Sequence, residues 1–92
     1  MKRAYSNEGK RMKYYKVYCR YNELRKASIE ALRNAGVKGS ISVTDICYQL
    51  MEEFNYTTVN TPMRILSYMT KVEKRGELDE FRKLSDEYYV GR

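Results

Sequence analysis

Apolar residues recur at helical spacing in three stretches of the chain and alternate in a fourth. Leu24, Ala27, Ala31, Leu32 and Ala35 line one side of a helix expected over residues 22–35. Val43, Ile46, Cys47, Leu50 and Phe54 do the same for a helix over residues 43–54. In a third, over residues 60–75, Ile65, Met69 and Val72 share an arc, with Pro62 and Leu66 at its margin. Residues 13–21, KYYKVYCRY, alternate instead, and their tyrosines and valine favour a strand. The same residues allow a second reading, because Val17, Tyr21, Leu24, Ser28, Ala31 and Ala35 form a helical stripe that would run unbroken into the next segment.

Stop and start signals divide these stretches. Asn22 can cap the first helix, and Gly36 and Gly39 end it. Ser42 to Asp45, SVTD, resembles a capping box opening the second. Asn55-Tyr56-Thr57 is a short polar connector. Thr58 or Asn60 caps the third helix, Pro62 is tolerated in its first turn, and Gly76 stops it after Lys71, Lys74 and Arg75. Beyond Gly76, residues 77–82 and 87–91 are expected to pair as a hairpin around a turn at 83–86. The alternation there is imperfect: Leu78 and Phe81 cannot both point inward on a regular strand without a bulge. Residues 1–12 lack periodicity and are expected to be a flexible basic arm before a single domain over 13–92.

The third helix is the stretch with chemistry on it. Opposite its apolar arc lie Asn60, Arg64, Ser67, Lys71 and Lys74, groups able to read base edges and hold phosphates. A solvated lysine-rich face is the plainer alternative for the same residues.

The order helix, short strand, helix, tight turn, helix, hairpin resembles the winged helix-turn-helix family from about Asn22 to Arg92. The resemblance is carried by SVTDICYQL entering the second helix and MTKVEKRGEL leaving the third. It implies an α+β, mostly α fold: three helices and a C-terminal β-hairpin wing, with 13–21 as an added N-terminal strand or helix extension. It further implies that the third helix enters the major groove of double-stranded DNA. By position, Asn60, Arg64 and Ser67 are then the base-reading candidates. Thr57, Thr58, Thr61, Lys71 and Lys74 are backbone-contact candidates, joined at the wing tip by Arg82 and Lys83. One departure from the family pattern is the acidic wing: Glu77, Asp79, Glu80, Asp86 and Glu87 sit awkwardly beside phosphates.

Charge sharpens this picture. The net of +6 is uneven, with nine basic and two acidic residues in 1–26 and four basic against one acidic in 58–76. Both regions favour a polyanion. There is no histidine, no glycine-rich phosphate loop and no nucleophile elbow, so an enzyme is not expected. Cys19 and Cys47 lack metal-ligand spacing, and neither metal nor cofactor is expected; a reduced pair and a disulfide both remain open for them. No apolar run approaches a membrane span and no secretion signal opens the chain, so an intracellular, cytoplasmic protein is expected. The composite expectation is a small sequence-specific DNA-binding regulator, with a homodimer through residues 13–21. The alternatives are a winged-helix protein-interaction module and a single-strand binder using Tyr14, Tyr15, Tyr18 and Tyr21.

Overall fold

The computed structural model describes the backbone of residues 2–83 and the side chains of residues 9–83. Three α-helices follow one another: α1 Lys2–Asn34, α2 Val43–Glu53 and α3 Asn60–Lys74. Residues 78–83 form a further helical turn and a half. At about 1.5 Å per residue, the 33 residues of α1 span about 50 Å. That length sets the longest dimension of the molecule, 52 × 27 × 27 Å. Helices α2 and α3 pack against each other and against the middle of α1.

The core sits where the three helices meet. Val17 and Tyr18 of α1, Ile46, Cys47 and Leu50 of α2, and Ile65, Leu66, Met69 and Val72 of α3 are buried, and Phe81 joins them from the following segment. Tyr14, Tyr21, Leu24, Ile41, Phe54 and Leu78 pack around this cluster. Burial of such side chains stabilises the fold by about 1.5–3 kcal/mol each, before the entropy of ordering them.

Each helix ends in the same way. The residue after the C-cap is left-handed: Gly36 (φ 68°), Asn55 (φ 58°) and Gly76 (φ 74°). The next amide then reaches back to the carbonyl five residues earlier: Val37 to Leu32 at 3.1 Å, Tyr56 to Met51 at 2.9 Å, and Glu77 to Val72 at 3.0 Å. These are Schellman closures, which satisfy carbonyls the helix leaves open. Ser42 caps α2 by accepting the Asp45 amide at 3.2 Å. Thr58 supports the start of α3 by accepting the Asn60 amide at 2.9 Å, although Val59 occupies the cap position.

The structure departs from the expected fold. No β-strand occurs among the described residues, so the α+β winged helix-turn-helix with its β-hairpin wing is not the fold of this chain. Residues 77–82 do not form the first wing strand; 78–83 are helical, and the expected return strand at 87–91 lies outside the described residues. The reason is the spacing of Leu78 and Phe81. Three residues apart, they share one side of a helix, and Phe81 reaches the core from there. Of the two readings open for residues 13–21, strand and helix, the structure has the helix. Tyr14, Val17, Tyr18, Tyr21 and Leu24 recur every three or four residues and all meet the core, and this packing outweighs the β-favouring composition. Asn22 is therefore an exposed position within α1, not its cap, and residues 2–12, the expected arm, belong to the same helix.

Candidate nucleic-acid interface

Helix α3 divides as its sequence pattern implies. Pro62, Ile65, Leu66, Met69 and Val72 are buried, while Asn60, Arg64, Ser67, Lys71 and Lys74 are exposed together on the opposite side. Pro62 falls early enough in the helix that its missing N–H leaves no interior hydrogen bond unmade. Among the described residues Arg64, Lys71 and Lys74 form no ion pair. Lys71 and Lys74 stand in the last turns, where the helix dipole favours cations. The face from Asn60 to Lys71 carries no carboxylate.

The carboxylate that follows, Glu73, is engaged elsewhere. Tyr18 of α1 donates its hydroxyl to Glu73 Oε1 across the α1–α3 contact. Burial, and then this bond, push the Tyr18 phenol up to about 12. Arg75 is paired with Glu77 at 3.1 Å. Between α1 and α2, Arg20 grips Glu53 with a two-pronged contact of 2.9 and 3.1 Å and also meets Glu23 at 3.0 Å. The Arg20 bonds, then that of Gln49, hold the Glu53 carboxyl below its usual range. The Arg20 cation is thus paired within the chain, at the surface.

The remaining sequence-derived candidates are spread more widely. Thr57 and Thr58 are exposed in the turn before α3, and Thr61 is half-buried. Arg82 and Lys83 are exposed on the 78–83 helical segment rather than at a wing tip, with Arg82 3.5 Å from Asp79. Residues 13–21 spend Val17 and Tyr18 on the core of their own chain, and Tyr14, Tyr15 and Tyr21 pack around it. Tyr14, Tyr15 and Tyr21 are thereby left only partly exposed. Cys19 and Cys47 are both free thiols, and burial pushes the Cys47 thiol up, which disfavours its thiolate. Among the described residues, no three His, Cys, Asp or Glu side chains gather as a metal site would require. No helix described is long and apolar enough to cross a membrane.

One group of residues went unread in the sequence. A cleft beside the outward face of α3 is lined by Tyr14 of α1 with Thr61, Arg64, Ile65 and Tyr68 of α3. The Tyr14 and Tyr68 rings meet edge-on with centroids 5.8 Å apart, and Tyr68 meets Phe81 at 6.3 Å. Lys13 lies over the Tyr56 ring, 4.8 Å from its centroid. Arg64 and Tyr68 are four residues apart, a spacing visible in the sequence. Their approach to Tyr14 is set by the docking of α1 and has no local signal.

Compared with known protein families, curated proteins and solved structures, the chain finds no match.

Proposed function

We propose that this chain is a sequence-specific double-stranded DNA-binding protein, a small transcriptional regulator that lays α3 in the major groove. The observation that carries the reading is the α3 face itself: an amide, a hydroxyl and three cations exposed together, with no carboxylate among them up to Lys71 and no internal ion pair among the described residues. A major groove about 12 Å wide admits one helix presented in this way. Asn60 and Ser67 lie central enough to meet base edges. Lys71 and Lys74 hold phosphates and fix the register. Helix α2 and the 54–59 turn present α3 as the second helix of a helix-turn-helix, a role that needs no wing. Such a protein works in the compartment that holds DNA.

Binding of a labelled duplex, followed by fluorescence anisotropy over a range of salt, tests this. Each phosphate contact adds about 0.9 to the slope of log affinity against log salt. Replacing Lys71 and Lys74 together by Gln should therefore lower that slope by about 2 and weaken all sequences alike. Asn60→Ala should cost about 1–3 kcal/mol on a selected site and little on random duplex. No retention of duplex DNA at low salt would sink the proposal. It would favour a protein partner instead, for which the exposed Val43 (45%) and Met63 (39%) beside Tyr21 and Cys47 offer an apolar contact.

A further inference from the structure

We infer that the cleft between α1 and the first half of α3 seats one phosphodiester of the bound duplex, and that Arg64 is a phosphate contact rather than a base reader. The inference rests on α3 being the DNA-binding helix, and it assigns to that reading a site and a role its sequence did not indicate. Its basis is the kind of group the fold brings together. The polar residues lining the cleft are Arg64, Thr61, Tyr14 and Tyr68, and no acidic residue lines it among the described residues. One cation and three hydroxyl-bearing side chains, from α1 and α3, thus line the cleft.

A guanidinium and hydroxyls with no acid among them match a phosphate, whose oxygens accept several hydrogen bonds at once. Arg64 is also placed to one side of the α3 face, on the same flank as Thr61 and Tyr68, while Asn60 and Ser67 hold its centre. A helix seated in the groove has the phosphate backbone along its flanks, which is where the cleft lies. The half-buried Tyr14 and Thr61 would fix that phosphate against the protein, so that α1 as well as α3 sets the depth of insertion.

The test uses the full chain with two probes. Inorganic phosphate, titrated against chloride at matched ionic strength, should shift the NMR signals of the Thr61 amide and the Arg64 side chain, and duplex DNA should displace it. Arg64→Gln should weaken a selected duplex and a random duplex by the same factor, about ten-fold, and lower the salt slope by about 1. Tyr14→Phe, which keeps the ring packed against Tyr68, should weaken both duplexes equally by a smaller factor, with the circular dichroism unchanged. Loss confined to the selected duplex in Arg64→Gln overturns the assignment and returns Arg64 to base reading. Phosphate that leaves Thr61 and Arg64 unshifted, or that duplex DNA fails to displace, also overturns it. Either result leaves the DNA-binding proposal standing if the native chain still retains duplex; absence of any duplex binding by the native chain removes both.

Discussion

Asn55 is the only non-glycine residue with positive φ among those described, at 58°, and it closes α2 where α1 and α3 use glycine. Asparagine tolerates this conformation because its short polar side chain can bond locally, whereas a β-branched residue clashes with its own backbone. Asn55→Gly should be neutral or slightly stabilising, and Asn55→Val should destabilise by about 1–2 kcal/mol, read from urea unfolding midpoints. Tyr18 makes a second claim at this scale. Its phenol is buried and donates to Glu73, and its folded-state pKa is raised from 10.0 to about 12. A group raised in this way favours the folded state fully below its unfolded value and loses that contribution as pH climbs through the folded one. Between about pH 10 and 12, then, the native chain should lose stability relative to Tyr18→Phe, while near pH 7 the variant should be the weaker by about 1 kcal/mol. Parallel denaturation curves across that range would contradict the raised phenol.

Helices α2 and α3 each carry their own boundary chemistry. Ser42 accepts the Asp45 amide at 3.2 Å, and its replacement by Ala should cost about 1 kcal/mol, measured by thermal unfolding; no change in midpoint would mean the cap is idle. The pieces of α1 have no such markers. Neither Asn22 nor any glycine breaks it between Lys10 and Asn34, and its central turns hold because Val17 and Tyr18 are covered by the other two helices. Residues 78–83 teach the same lesson from the other side. Their sequence offers Leu78 and Phe81 at helical spacing among charges, and the contact of Phe81 with Tyr68 at 6.3 Å shows which period the fold uses.

For the molecule as a whole, the arrangement of charge matters more than its total. Arg20, Arg75 and Arg82 are drawn into pairs with Glu53, Glu77 and Asp79, and exposed pairs of this kind add little stability. Arg64, Lys71 and Lys74 remain unpaired among the described residues and share one side of α3. This distribution is why the positive charge of residues 58–76 points outward from α3. The two DNA proposals both draw on it.

Much of this architecture was legible because its causes are local. The spans of α2 and α3, the Ser42 cap, the stops at Gly36 and Gly76, and the split of α3 into a buried and a polar face all follow from caps and periodicity within a few residues. The choice of helix over strand for 13–21, and the helix at 78–83, were not legible, since each stretch is short enough to satisfy two periods and its deciding contacts lie far away in the chain. Tyr18 meets Glu73 across 55 positions, and Phe81 is buried in the core with residues of all three helices. The cleft beside Arg64 belongs to the same class. Local sequence determined which side of α3 faces outward; only the docking of α1 decided what stands beside it, because that juxtaposition exists nowhere along the chain.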